Sequence, residues 1–145
     1  MSTDQNNTMS IADKKTMTSE VLEKPATEAR TLAYDIANLA LEKKAKQIIV
    51  IDLKGTTSIA DFFVLMSGDS DTQIKAIADH ITKELRKKKI RVYHKEGYKS
   101  LRWVLLDYVD VVVHIFKPKT REFYGLERLW GDAEIDLIMD GDDAG

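Results

Sequence analysis

A chain of 145 residues, 43% apolar and 32% charged, has the length of one domain and enough apolar content to fill a single core. No stretch approaches the roughly 18 consecutive apolar residues of a membrane-spanning helix, and residues 1–15 lack the basic start and apolar centre of a secretory signal, so no membrane attachment is expected. The absence of cysteine excludes disulfides, thiolate metal sites and cysteine nucleophiles and agrees with a reducing cytoplasm, while the net charge of −2 conceals local clusters of opposite sign.

Residues 1–24 are polar and aperiodic, which predicts a disordered extension. Over residues 27–46, Ala29, Leu32, Ala33, Ile36, Leu39 and Ala40 recur at three- and four-residue steps and predict a first helix. Residues 47–53 (QIIVIDL) form a continuous apolar run that suits a buried strand, broken by Lys54-Gly55-Thr56-Thr57-Ser58, and residues 62–67 follow as a second strand. Ile74, Ile77, Ala78, Ile81 and Leu85 line one face of a second helix over residues 69–88, opened by Ser70-Asp71-Thr72-Gln73 in the form of a capping box. Residues 91–94 read as a third strand and 95–101 as a loop. Two β-branched and aromatic strands over residues 103–116 then form a hairpin across Asp107-Tyr108-Val109-Asp110. A loop at 117–120 leads to an amphipathic helix over 121–130, with Phe123, Leu126 and Trp130 as its apolar stripe, Arg121, Glu122, Glu127 and Arg128 on its surface, and Tyr124 exposed. The order αββαβββα implies an α/β fold, a mixed sheet covered by helices, with a domain over residues 25–133 and an acidic tail over 134–145.

Several clusters invite a chemical reading. Lys83, Arg86, Lys87, Lys88, Lys89, Arg91, Lys95, Lys99 and Arg102 stand against only Glu84 and Glu96. A solvated helix C-terminus, where lysines complement the dipole, is the plainer reading, and contact with nucleic acid is the other. His80, His94 and His114 fall on a helix and two separate strands without ligand spacing, so neither metal nor cofactor is expected, and His114 reads as a satisfied, partly buried imidazole or a dimer contact. Asp69-Ser70-Asp71 is the one place where paired carboxylates can serve Mg²⁺ and nucleotide chemistry, yet capping of the helix explains it. With no Walker loop, nucleophile elbow or dinucleotide fingerprint, the chain does not read as an enzyme. A Mg²⁺-dependent nucleotidyltransferase and an RNA-binding module on the 83–102 patch stand as the competing readings.

Function is expected in residues 103–130, which hold both tryptophans and more than half of the aromatic residues. The hairpin carries Asp107, Asp110 and His114 but no lysine or arginine, an aromatic and acidic combination that suits a basic partner. Strand alternation puts Trp103, Leu105 and Asp107 on one face and Val104, Leu106 and Tyr108 on the other. On general grounds a tryptophan in a small domain is more often core than contact, and aspartates at a turn serve their own backbone.

In chain order, Asp52-Leu53, Ala60-Asp61-Phe62-Phe63-Val64, Ser67-Gly68, Gln73, Ala76-Ile77-Ala78, Glu96-Gly97, Trp103-Val104-Leu105-Leu106-Asp107-Tyr108, Asp110-Val111-Val112-Val113-His114-Ile115-Phe116, Arg121-Glu122-Phe123-Tyr124 and Leu126-Glu127-Arg128-Leu129-Trp130 make a pattern that resembles the ribosomal silencing factor, or Iojap, family of bacterial type. The resemblance implies a core similar to the nucleotidyltransferases without their catalytic apparatus. It implies a translational repressor in the cytoplasm that binds the large ribosomal subunit through ribosomal protein fourteen (uL14), with room for a ribosomal RNA contact, and blocks joining of the small subunit when nutrients are scarce. It also implies a homodimer when free. The resemblance reverses the odds for Trp103: with Leu105, Asp107, Tyr108, Asp110 and Tyr124 it is expected in the surface that binds the ribosomal protein. Two positions depart from the family pattern, Leu101 and Val109, where glycine is usual. A non-glycine at a turn that wants φ > 0 costs about 1 kcal/mol or more.

Overall fold

Runs of Ile, Val and Phe alternate along the chain with helical periodicity, and the computed structural model gathers those runs into one six-stranded mixed sheet. It describes residues 18–138, with side chains from residue 28 onward. The chain divides into two units, residues 1–31 and 32–145. Of the first, the start of helix α1 (Thr18–Glu42) is described, and the sheet and the other helices belong to the second. After α1 come β1 (Lys46–Asp52), β2 (Phe62–Ser67), α2 (Asp71–Lys87), β3 (His94–Glu96), β4 (Trp103–Asp107), β5 (Val111–Phe116), α3 (Pro118–Tyr124), α4 (Leu126–Leu129) and β6 (Glu134–Ile138). The sheet order is β3-β4-β5-β2-β1-β6, with β2 and β5 parallel and every other pairing antiparallel. The expected mixed α/β sheet under helices is therefore what the chain forms.

One sheet face is sealed by helices. Val50, Phe62, Val64, Met66, Val104, Leu106, Val111, Val113 and Ile115 are buried there, α2 lies over β4 and β5, and it contributes Ile74, Ile77, Ala78, Ile81 and Leu85. The α1 residues Ala33, Ile36, Ala37 and Ala40 are buried as well, and the Tyr34 hydroxyl donates to Asp136 on β6, which pairs with Val50 on this side. A glutamine fixes where α1 ends and α2 begins. The Ser70 hydroxyl accepts from the Gln73 N–H at 3.1 Å, the Gln73 carbonyl oxygen accepts from the Asp69 N–H at 2.7 Å, and its amide nitrogen donates to the Lys43 and Lys44 carbonyls. The expected cap is thus present, with its reciprocal bond reaching one residue further back than in the usual box.

The structure corrects four sequence expectations. Helix α1 starts at Thr18, inside the stretch predicted to be disordered, whose residues 1–17 lie outside the described residues. The third strand is His94–Glu96, because its pairing with β4 sets its bounds more strongly than its own β propensity does. The last helix breaks in two at Gly125, whose φ of 54° is the left-handed conformation that ends a helix. Glu134–Ile138 is a sixth strand within the expected acidic tail, with Ile135 and Leu137 alternating between acids at the period of two a strand requires; residues 139–145 lie outside the described residues.

A further correction concerns Tyr108. Its side chain follows strand parity into the helix-covered side, at 7% exposure, with a buried hydroxyl that has no hydrogen-bond partner among the described residues, and burial pushes the phenol up to about 12. It does not stand exposed at the hairpin tip, because its N–H still donates to the Val111 carbonyl and holds it in the ladder. Tyr108→Ala is accordingly expected to destabilise by about 3 kcal/mol or more through the cavity it leaves, whereas Tyr108→Phe removes an unpaired hydroxyl and is expected to be neutral or stabilising by up to about 1 kcal/mol. Urea unfolding of the two variants checks both values.

Candidate functional site

The second sheet face is only partly covered. Ile49, Ile51, Phe63, Leu65, Val112 and Phe116 form its buried cluster, with Trp103, Leu105, Leu126, Trp130 and Ala133 packed half-buried against it. The burial of β4 alternates as the sequence requires: Trp103, Leu105 and Asp107 are half-buried on this face, Val104 and Leu106 fully buried on the other. Tyr124, 54% exposed on α3, brings its ring centroid to 5.0 Å from that of Trp103. Four of the expected contact residues, Trp103, Leu105, Asp107 and Tyr124, therefore share one side of the sheet. Asp110 is exposed at the hairpin end, while Tyr108 faces the opposite way.

Trp103 is held by a residue on the neighbouring strand. Its indole N–H donates to His114 Nδ1 at 3.1 Å, so the imidazole proton sits on Nε2, which is buried without a partner among the described residues. Burial lowers the His114 pKa to about 3, so the ring is a neutral acceptor at ordinary pH. The sequence reading of a satisfied imidazole is right for one nitrogen and not for the other. Protonation at Nδ1 would remove the acceptor that orients Trp103.

Arg121, read from the sequence as surface decoration, is only 6% exposed. Its Nη1 donates to the Gln47 carbonyl at 2.8 Å and the Ser67 hydroxyl at 2.9 Å, and its Nε and Nη2 grip the Glu127 carboxylate at 3.1 to 3.3 Å. Gln47 sits at φ 50° beside a register shift in β1, an irregularity that accompanies its carbonyl's bond to the guanidinium. The signal available in the sequence was Gly125, since a helix that ends there folds Glu127 back toward Arg121. Phe123, expected in the apolar stripe, is instead 78% exposed, because the break rotates α4 away from the helical period of α3.

The turns around β4 are under strain. Leu101 (φ 57°) and Val109 (φ 74°) occupy the left-handed region that favours glycine, and Gly97 (φ 91°) cannot carry a side chain because a Cβ would overlap the Trp103 carbonyl. Val109 is the centre of a γ-turn, with the Asp110 N–H donating to the Tyr108 carbonyl. The Asp107 carboxylate accepts from the Val109 N–H at 2.7 Å, so the expected turn role of this aspartate is present.

The acidic pair at the start of α2 is engaged with lysines: Asp69 with Lys46 at 3.0 Å and Asp71 with Lys117 at 2.6 Å. Among the described residues, no cluster of three or more His, Asp or Glu could hold a metal ion, and no helix is long and apolar enough to cross a membrane. His80 and His94 are each engaged with a glutamate, Glu42 and Glu96, at 2.7 Å.

Residues 26–144 match the family model described as ribosomal silencing factor during starvation. The chain belongs to this family. Similar curated proteins include the ribosomal silencing factors of Halalkalibacterium halodurans, 45% identical over 96 residues that cover 66% of this chain and 82% of that one, and of Bacillus subtilis, 43% identical over 94 residues that cover 65% and 80%. The chloroplastic Iojap protein of Zea mays is 35% identical over 114 residues, 78% of this chain and 50% of its own length. Among solved structures, a protein from Chromobacterium violaceum superposes with a TM-score of 0.66 at 32% identity, covering 79% of this chain and 92% of its own. A Bacillus halodurans protein gives 0.63 at 36% identity, covering 79% and 99%.

Two measurements follow from the strained turn and the buried imidazole. Val109 is 58% exposed, so Val109→Gly sacrifices little packing and is expected to stabilise by about 0.5–1 kcal/mol, the relief of left-handed strain less the entropy glycine adds to the unfolded chain; thermal melting of the variant reads this out. His114 takes up a proton in the unfolded chain near its ordinary value of 6.5 but in the folded protein only near 3, so its contribution is fully present above about pH 6.5 and is lost as pH falls. The limiting slope is about 1.4 kcal/mol per pH unit. Urea unfolding between neutrality and pH 5 should show this loss in the wild type and a flatter profile in His114→Gln.

Proposed function

We propose that the protein is a translational repressor that binds the large ribosomal subunit through ribosomal protein fourteen (uL14) and prevents the small subunit from docking. The observation that carries this reading is the half-buried strip of Trp103, Leu105 and Asp107 with Tyr124 beside it, on the sheet face the large helices leave open, in a chain of the silencing family. A half-buried aromatic strip with a carboxylate at one end suits a partner surface that is apolar at its centre and basic at its rim. Asp110, exposed at the hairpin end, extends the acidic rim, and Tyr108 supports the strip from the other side of the sheet.

Steric exclusion requires no chemistry. A contact of about 800 Å² on each partner is enough to hold a small domain in place, and a body placed at the subunit junction blocks the second subunit by its volume. The action belongs in the cytoplasm, with the free protein a homodimer. The family match and the lysine pairing of Asp69 and Asp71 favour this reading over a Mg²⁺-dependent nucleotidyltransferase.

Sedimentation with purified subunits tests the proposal: the protein should travel with the large subunit and reduce the yield of joined ribosomes, and migration with the small subunit alone would overturn it. Tyr124→Ala and Asp110→Lys alter exposed side chains, so stability should change by no more than about 0.5 kcal/mol. Binding to the isolated ribosomal protein should weaken roughly tenfold or more for Tyr124→Ala, as for an interface tyrosine. For Asp110→Lys, association should slow, and the defect should shrink as salt rises.

A further inference from the structure

A groove of about 560 Å³ opens between the loop before β4 and helix α3. Three aromatic rings line it. The centroid of Tyr124 lies 5.0 Å from those of both Trp103 and Phe123, and Phe123 and Tyr124 expose 78% and 54% of their surface. Arg102 and Lys119 also line the groove, and neither has a carboxylate partner among the described residues. The neighbouring Lys117, by contrast, is held by Asp71 at 2.6 Å. Ser100 and Thr120 add hydroxyls, and no acidic residue takes part in the lining.

We propose that this groove binds a short single-stranded segment of RNA, with a base stacked on the exposed Phe123 ring, which the proposed protein contact leaves free, and its phosphates on Arg102 and Lys119. Aromatic platforms flanked by unpaired cations are what a single strand needs, since every base has a π-face and every linkage a negative charge. An acidic peptide would satisfy the two cations and leave the exposed rings unmatched, whereas an apolar peptide would cover the rings and bury the cations unpaired. A duplex keeps its bases stacked on one another and cannot offer one to the platform. The volume lies within the range of about 300–1,000 Å³ typical of small-ligand sites, room for one or two splayed nucleotides. Stacking makes the site tolerant of base identity.

The inference goes beyond the protein contact proposed above and moves the RNA site off the lysine-rich end of α2. Of the basic run over residues 83–102, only Arg102 lines the groove, and Lys119 lies outside that run. Lys83 projects from α2 and serves as the control.

The test is fluorescence anisotropy of a short labelled single-stranded RNA titrated with the full chain, at low and moderate salt. Phe123→Ala should weaken binding roughly tenfold by loss of the stacking ring. Lys119→Glu should weaken it and lower the slope of log affinity against log salt by about 0.7, the loss of one phosphate contact. Lys83→Glu should leave affinity within roughly twofold of wild type, since a cation outside the groove adds only screened, long-range attraction. Both groove residues are exposed, so the variants should keep the wild-type melting temperature and wild-type binding to isolated ribosomal protein fourteen. Any of five results overturns the proposal: no RNA binding by the wild type, unchanged affinity in both groove variants, loss confined to Lys83→Glu, equal binding of duplex RNA or of a free mononucleotide, or loss of RNA and ribosomal-protein binding together. Failure here leaves the sedimentation result untouched, so the two readings stand or fall separately.

Discussion

The Arg121 guanidinium is the point on which the open side of the sheet depends. A buried charge survives only if its donors are matched, and here β1, β2 and α4 each supply an acceptor: the Gln47 carbonyl, the Ser67 hydroxyl and the Glu127 carboxylate. The two short helices are too brief to be stable by their own hydrogen bonds, so their position over the sheet is fixed from outside. Removing one partner of such a buried set leaves an uncompensated charge, at a cost of about 3–5 kcal/mol. Through this corner, Tyr124 is placed beside Trp103 and Leu126 against the same apolar cluster, and the aromatic strip acquires its outer wall.

The two faces of the sheet have different tasks. The helix side is filled with Ile, Val, Leu and Met at or near zero exposure, and its hydrophobic burial drives folding. The other side keeps Phe63, His114 and Phe116 buried but leaves Trp103 and Leu105 half in solvent. A neutral imidazole with one unmatched nitrogen is an expensive neighbour for an apolar cluster. What it provides is direction, since the indole of Trp103 has a single donor and His114 gives that donor one place to point.

Much of this fold is legible in the sequence. The stripe from Ile74 to Leu85, the Ser70 cap and the alternation of β4 all follow from local periodicity and local hydrogen bonding, which act over a few residues. The elements that local sequence does not reveal depend on distant partners. Arg121 looks like a surface residue until Gln47 and Ser67 are brought to it, and residues 134–138 look like an acidic tail until β1 offers them a ladder. Tyr108 is a different case: the turn closes after it as a γ-turn at Val109, so Tyr108 stays in the ladder and strand parity carries its side chain inward. The strip of Trp103, Leu105 and Asp107 was visible from parity alone, whereas its closeness to Tyr124 required the break at Gly125.

Strand β6 also bears on how the molecule behaves in company. It covers the flank of β1, whose apolar run Ile48-Ile49-Val50-Ile51 would otherwise present a row of free amides and carbonyls to any passing chain. In exchange the sheet ends on a five-residue strand that carries Glu134 and Asp136, with the Asp136 carboxylate tied back to Tyr34. Two copies meeting along that border would oppose like charges before their backbones could pair. The acids that disguise this strand in the sequence therefore disfavour edge-to-edge pairing of copies along this border and the open-ended fibre growth that such pairing would seed.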